Sequence, residues 1–559
     1  MHDQAQRPPR RRKKYILLLV LSFLLIIAAA ALWYWETHKK GIIKDKIETA
    51  ITEKTDGAYA IKYDNLELDE IAGWLMVSNL TLKYDSLKLV KDKEEGTLPS
   101  IIMDITVPLI NVTGIKTPKA LVDNEIIGEK VVVMNPVINL HYTRSGKDSS
   151  RNIPTNEIYK QILGGLDIIK LDTVVIKGAQ VTTFRQGSDK KIIALKDVTI
   201  TLTDLLVDST SFQDTSRFMF AKGVDIDAAK VEWASADNMY NYSASRIAIG
   251  ANSTRIDIGN FKIIPALGEE AFTAKLKTQD DRFDFDFNNI NIEGVSFHDL
   301  SNEFLVAHSM TVSQSKLLIY RDLSVIRDTE NRVGTYPQQV IDDIPFKFII
   351  GSLNIRDSYV EYKERSAVTK EAGRVQFHNI SATIVNFTNH PKSIAKNNIM
   401  RADVKSSFMN VTPLNTTWTF YLLHPKGRFD LKGSLGPVDG PKMNPLTEPM
   451  GPATIKEGKV DGITFNFEGH DYGATGTVTM LYKNLKVHLL ELDKGASKTD
   501  KKFLMSLLAN LVIKNSNPSG NDAPRVAQVD NPRDINHSIF HLCWKSLFKG
   551  IRESIGVKK

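Results

Sequence analysis

Arg282–Glu293 reads RFDFDFNNINIE. Phe283, Phe285 and Phe287 alternate with Asp284 and Asp286, and after a one-residue slip at Asn288-Asn289 the apolar positions resume at Ile290 and Ile292. Successive strand side chains point to opposite faces, so this stretch predicts a half-buried antiparallel strand, apolar on one face and charged on the other. The slip predicts a turn or a bulge. The same period-two pattern recurs in Leu75–Tyr84, Ile101–Ile110, Val131–His141, Val198–Leu202, Phe272–Leu276 and Ala474–Tyr482. Extended along the chain, it predicts a mainly β protein of about twenty strands with three or four helices.

Two stretches repeat one another. Ile169–Leu202 can be laid on Phe348–Ile384, with Ile176 on Ile355, Val181 on Val360 and Val198 on Ile380. Each copy has two strands around a polar loop, then a strand marked Lys196-Asp197-Val198 or His378-Asn379-Ile380. Such units need a neighbour to cover their apolar face, so they predict an elongated, repetitive antiparallel sheet. Gly436–Pro452 (GPVDGPKMNPLTEPMGP) is dense in proline and glycine and predicts a long loop or module boundary.

The 559 residues carry a formal charge of +7, and most of it lies at two ends. Residues 1–14 set Arg7, Arg10, Arg11, Arg12, Lys13 and Lys14 against Asp3 alone, and residues 531–559 are again basic. The long middle is slightly acidic. A duplex-binding protein spreads its basic surface over a folded domain, so no nucleic-acid partner is expected. The single Cys543 excludes a disulfide framework and any cysteine-rich metal site.

Tyr15–Trp35 (YILLLVLSFLLIIAAAALWYW) contains no charge. As a helix it would be about 31 Å long, matching a hydrocarbon core of roughly 30 Å. Arg11, Arg12, Lys13 and Lys14 precede Tyr15, and Trp33, Tyr34 and Trp35 close the run as an aromatic belt. The positive-inside rule then keeps the N-terminus cytoplasmic and exports the chain beyond Trp35. A cleaved leader is the competing reading, with Ala28–Ala31 as the cleavage region. The predicted organisation is a basic tail 1–14, an anchor 15–35, an elongated body 36–435, the loop 436–452, a β segment 453–500 and C-terminal helices 501–559. A short helix is expected near 38–53, and another over 502–514.

Asp534–Val557 (DINHSIFHLCWKSLFKGIRESIGV) predicts an amphipathic helix with Asp534 as N-cap. Phe540, Trp544, Leu547, Ile551 and Ile555 fall on one stripe, with Lys545, Lys549 and Arg552 beside it. Two roles fit: a helix lying in a membrane interface, or one packed across the end of the sheet.

The chain contains no Walker loop, HExxH, GxSxG or GxGxxG. His537 and His541 stand at i, i+4, but no nearby carboxylate clearly supplies a third ligand, so no metal is expected. Asp284/Asp286 and Asp342/Asp343 read as solvated surface acids. Neither a cofactor nor an enzymatic activity is expected.

Gly73–Tyr84 (GWLMVSNLTLKY), Ile102–Ile115 (IMDITVPLINVTGI), Lys130–Tyr142 (KVVVMNPVINLHY, with Pro136 between two strands) and Gly473–Glu491 (GATGTVTMLYKNLKVHLLE) come after the anchor in that order, and a basic-aromatic helix closes the chain. In this arrangement the chain resembles the AsmA-like family of envelope proteins, relatives of TamB and YhdP. The resemblance implies a long sheet curled into a groove with an apolar inner face, fixed in the inner membrane and extending into the periplasm. It also implies a part in phospholipid transport between membranes or in outer-membrane assembly, with membrane lipids and other envelope proteins as partners. About twenty strands at ~4.8 Å spacing would reach roughly 100 Å. Phe283, Phe285, Phe287, Ile290 and Ile292 are then acyl-chain lining. In a closed β-sandwich the same residues are core, and the chain would be a structural or interaction protein of the envelope.

Overall fold

The structure, a computed structural model, describes residues 58–69, 72–99, 101–114, 125–143, 167–185, 191–218, 220–367, 370–450, 453–489 and 514–556. The anchor 15–35 with its flanking Arg11, Arg12, Lys13 and Lys14, the helix expected near 38–53 and residues 502–513 lie outside them. No helix among the described residues is long and apolar enough to cross a membrane. The fold is mainly β, a long and mostly antiparallel sheet with a few short helices. The described residues belong to two compact units. One takes residues up to Ser235 with Tyr242–Gly259 and Val295–Asn302, and the other takes Ala236–Asn241, Asn260–Gly294 and the residues from Glu303 onward.

In the first unit, β1 (Tyr59–Lys62) and β2 (Asn65–Asp69) both pair with β3 (Trp74–Tyr84), which pairs in turn with β4 (Ile101–Thr113). Next to β4 lie β5 (Glu125–Met134) and β6 (Val137–Tyr142), both also parallel to β7 (Ile168–Arg185). The break between β5 and β6 falls at Asn135-Pro136, where Pro136 is expected between two strands, because Asn135 is left-handed and Pro136 has no N–H for a ladder. The antiparallel β8 (Lys191–Val207) and β9 (Ala221–Ala234) come next. One face of these strands is a dry core. Val107, Leu202, Leu205 and Val207 are 0% exposed, and Ile105, Val133 and Ile138 are 1% exposed.

The second unit continues through β12 (Arg282–Glu293), β13 (Phe304–Asp322), β14 (Lys347–Arg365), β15 (Ala372–Thr388), β16 (Ile399–Phe408), β17 (Thr412–Tyr421) and β18 (Phe429–Leu435). It ends with β19 (Val438–Asp439), β20 (Ala453–His470), β21 (Gly473–Leu489) and β22 (Ala527–Pro532). Neighbours pair antiparallel except β13 and β14, which are parallel, and both β18 and β19 pair with β20. The proline-rich stretch expected as a loop is, over its described residues 436–450, folded onto the sheet through β19 and the helix Asn444–Met450. Strands β10 (Tyr240–Gly250) and β11 (Arg255–Pro265) contribute residues to both units.

The slip at Asn288-Asn289 is a bulge: Asn289 has φ 45°, and the register shifts between Asp286 and Asn291. The same device recurs in neighbouring strands at Gln314 (φ 53°), Asp357 (φ 48°) and Asn379 (φ 51°). Asn288 Nδ2 donates to Gln314 O at 2.9 Å, and Ser315 N donates to Ser358 Oγ at 3.2 Å, so the bulges adjoin as a crease across four strands.

The repeat tracks the bulges. Ile176 pairs with Ile200 and Ala179 with Val198 in one copy; Ile355 pairs with Ala382 and Ser358 with Ile380 in the other. Each copy carries one left-handed residue per strand, Gly178 and Asp197 in the first and Asp357 and Asn379 in the second. The Lys-Asp-Val and His-Asn-Ile marks are bulge positions.

Phe272–Leu276, expected as a strand, is instead the end of a short helix, Glu269–Thr273, and the turn after it. Five residues of alternation fit two periods equally well. Gly268 at the N-cap and two acids in the first turn decide for helix. Other short helices, such as Ser86–Glu95 and Pro391–Lys396, bring the described helices above the expected three or four.

An L-residue without a short polar side chain is strained at a left-handed position by roughly 1–2 kcal/mol. Asn379→Val is expected to destabilise the protein by at least about that much in urea unfolding, while Asn379→Gly stays close to wild type.

Candidate functional site

The bulges keep the apolar side chains of β12 to β15 on one face despite the change of phase. Register traces this face across the second unit. Phe285 lies beside Leu317, Val360, Phe377 and Phe408, one residue per strand. Phe283 begins a parallel row through Ile319 and Tyr362 to Val375. Beyond the crease, Ile292 leads through Met310, Leu353 and Ile384 to Ala402, and on through Trp418 and Leu431 to Phe467.

The opposite face is polar. Asp286 pairs with Lys262 at 2.9 Å, Arg401 with Asp403 at 2.9 Å and Arg428 with Glu468 at 3.3 Å. Asp284 and Asp286 thus belong to a surface of alternating charges, and Asp342 and Asp343 lie in a short turn-like helix beside Lys347. Neither pair is arranged as an acid/base couple.

Coverage of the apolar face changes along the unit. Over β17 to β22 it is capped by the C-terminal helix (Ile539–Ser554) and by Tyr336. Phe429 and Val478 are 0% exposed and Phe467 is 1% exposed. Over β12 to β15, Phe283, Phe285, Phe287, Leu317, Ile319, Leu353 and Ile384 are only half-buried. Phe283 and Phe285 stand 5.3 Å apart between ring centroids, Phe285 and Phe287 6.0 Å, and Phe261 stacks on Phe287 at 6.0 Å. Of the five residues expected as lining, the three phenylalanines form this half-open aromatic ladder. Ile290 (7% exposed) and Ile292 (9%) are buried in the core. The row ends in charge: Arg321, beside Glu364 in register, donates from Nε to Asp281 Oδ1 at 2.7 Å.

The parallel pairing of β13 and β14 requires a crossover, and residues 323–346 supply it. It is tied down by a buried polar knot. Arg533 Nη1 donates to Asp471 Oδ1 at 3.0 Å, with both side chains almost fully buried, and its guanidinium lies 4.3 Å from the Tyr336 ring centroid. Asp471 also accepts from Gly334 N at 3.1 Å and from Gln339 Nε2 at 2.9 Å, while Arg533 donates to the Arg332 and His537 carbonyls. Burial pushes the Tyr336 hydroxyl up, against the opposing pull of Arg533. No local sequence signal marks this knot, because its members lie about 60 to 200 residues apart.

The C-terminal helix starts later than its sequence suggests. Ser538 is the N-cap, accepting from His541 N at 3.4 Å, whereas Asp534 pairs with Arg327 and accepts from Asn536 N. Its buried face is Ile539, Leu542, Cys543, Ser546, Gly550 and Ser554. Phe540 and Trp544 from the expected stripe are exposed, and Leu547, Lys549 and Ile551 are half-buried. His537 and His541 stack at 4.0 Å. Among the described residues no group of His, Cys, Asp and Glu could hold a metal ion. Cys543 is buried, and that burial raises its thiol pKa.

No family model matches the chain, and no curated protein matches it. Among solved structures, the crystal structure of the sex pheromone staph-cAM373 precursor aligns with 62% of this chain and 87% of its own length, at 8% identity and a TM-score of 0.11. A likeness of that size carries no argument.

Two measurements probe the region around the helix. Arg533→Leu leaves the Asp471 carboxylate buried and unpaired, with an expected loss of about 3–5 kcal/mol in denaturant unfolding. Burial, the neighbouring His537 and the Lys545 charge hold His541 down at about 4, against an opposing pull from Asp534. The unfolded chain therefore takes up this proton near pH 6.5 and the folded chain does not. Stability should fall as pH drops from 6.5 towards 4, and His541→Gln should flatten the upper part of that slope in thermal melts.

Proposed function

We propose that this chain is a membrane-anchored, periplasmic protein of the AsmA-like kind that binds lipid acyl chains and takes part in phospholipid transport between membranes or in outer-membrane upkeep. Residues 15–35 would hold it in the inner membrane, with the N-terminus cytoplasmic. The observation that carries the reading is the half-exposed apolar face of β12 to β15. Side chains in a finished core are closed off like those of the first unit, whereas Phe283, Phe285 and Phe287 keep part of their rings accessible along a continuous apolar row. An acyl chain laid on that row would bury the remaining area, at about 25 cal/mol per Å2 of apolar surface. The role asked of the protein is binding, with no reaction at the site.

A second reading draws on the first unit. Its apolar face is closed over most of its strands, with side chains largely 0–5% exposed, as in a structural or interaction protein of the envelope. Both readings agree on that unit and part at β12 to β15.

The test uses the full chain purified in mild detergent and examined for bound phospholipid by native mass spectrometry. Wild type should carry phospholipid, and Phe285→Asp should lose most of it while keeping its circular dichroism and a melting temperature within a few degrees. A folded wild-type protein without lipid would overturn the proposal, and unfolding by Phe285→Asp would mark Phe285 as core.

A further inference from the structure

The C-terminal helix should bury its largest side chains if covering the sheet were its whole task. It packs aliphatic side chains and leaves its rings outside. Against β21 and β22 it sets Cys543, Ser546, Gly550 and Ser554 along with Ile539 and Leu542. A Cβ at Gly550 would come within 2.4 Å of Val478 and 3.1 Å of Val529, so the close seating depends on small residues. The large rings face outward: Phe540 is 66% exposed, Trp544 37% and Phe548 42%.

At about 100° per residue these three rings form one strip along the helix. Lys545 borders it as an exposed cation, Arg552 stands half-buried on the same border, and Lys549 reaches back to donate to the Asp530 carbonyl of β22. Glu553 is the one acid between Ile539 and Ser554. A strip of exposed aromatic rings bordered by cations is what the interface of a bilayer accepts. The rings enter the boundary between headgroups and acyl chains, and the cations pair with anionic headgroups. The geometry points to Phe540, Trp544 and Phe548, with Lys545 and Arg552, as a contact for the surface of an anionic phospholipid bilayer. The helix thus serves both roles open to it, capping the sheet with its small residues and meeting a membrane with its large ones.

The strip is continuous with the candidate site. Phe540 meets Trp418 edge-to-face at 6.1 Å, and Trp418 belongs to the row leading through Ala402 and Ile384 to Leu353. A bilayer held at the helix would therefore adjoin the apolar face of the sheet. That adjacency rests on the acyl-chain reading; the bilayer contact does not.

The experiment places the full chain in phosphatidylcholine nanodiscs and mixes it with labelled vesicles, either phosphatidylcholine alone or with about one third phosphatidylglycerol, before flotation. The expected result is capture of the anionic vesicles, weakened by salt, and reduced at least about tenfold by Phe540→Ser/Trp544→Ser/Phe548→Ser. Lys545→Glu, at an exposed position, should also reduce capture and carries the test if the triple variant does not fold. Capture that is absent in wild type, unchanged in the folded variants, or equal for both vesicle types overturns the inference. Self-association through the strip without vesicle capture overturns it as well, and assigns the strip to a second copy of the chain. Phe285→Asp should leave vesicle capture intact and the triple serine variant should leave co-purifying lipid intact, so failure of either proposal is seen separately.

Discussion

A strand interrupted by a single extra residue turns every later side chain to the opposite face. The long strands of this protein meet that constraint with one residue in the left-handed conformation at each interruption. In β3, Leu75 and Val77 face the core before Asn79, and Leu80 and Leu82 do so after it. In β8 the phase is reset twice, at Asp197 and at Asp204. In the second unit the resets adjoin, and β12 to β15 keep an apolar face on both sides of the crease. Without them half of each strand would present its valines and phenylalanines to water. The residues used are mostly Asn, Asp and Gly, whose short or absent side chains tolerate positive φ.

The two units use the same kind of face differently. In the first, Val, Ile and Leu close it to near-zero exposure over most of the strands, while Val181, Leu195, Val231 and Trp233 on β7 to β9 stay half-buried. The second closes it under the crossover and the C-terminal helix, and leaves the aromatic rings of β12 half-open. The ladder Phe283–Phe285–Phe287 retains rigid, half-buried area without collapsing, because ring-on-ring contacts at 5–6 Å support it from within the row. The buried Asp471–Arg533 knot belongs to this division. It fixes the crossover over one end of the face through directional bonds, where apolar packing alone would let the crossover slide.

The fold class was legible because period-two alternation and its slips are local. RFDFDFNNINIE contains the strand, its two faces and the slip within twelve residues; the Lys-Asp-Val and His-Asn-Ile marks, legible only as marks of a repeated strand, sit at bulges in β8 and β15. Phe272–Leu276 misled because five residues cannot fix a period against a capped helical turn. The candidate site was legible only in part. Nothing local in the sequence places Phe285 beside Leu317 and Val360, or joins Tyr336 to Asp471 and Arg533, since register and crossover are set by pairing between distant strands.

The C-terminal helix shows why amphipathicity alone could not assign its orientation. The stripe of Phe540, Trp544, Leu547 and Ile551 is the more hydrophobic one, and hydrophobic burial by itself would turn its rings inward along with Leu547 and Ile551, which do pack against the core. Close approach reverses the choice. The sheet beneath the helix carries Val478 and Val529, and contact at the distance seen requires Gly550 rather than a larger side chain. Ser546 resolves its own polarity by donating to the Leu542 carbonyl at 2.8 Å, so its burial leaves no donor unmatched. Dense packing of many small contacts over the helix length can outweigh the partial burial of a few large ones. The large side chains are then left on the outer surface as a consequence of how the inner surface is packed, and that consequence makes them available to a membrane.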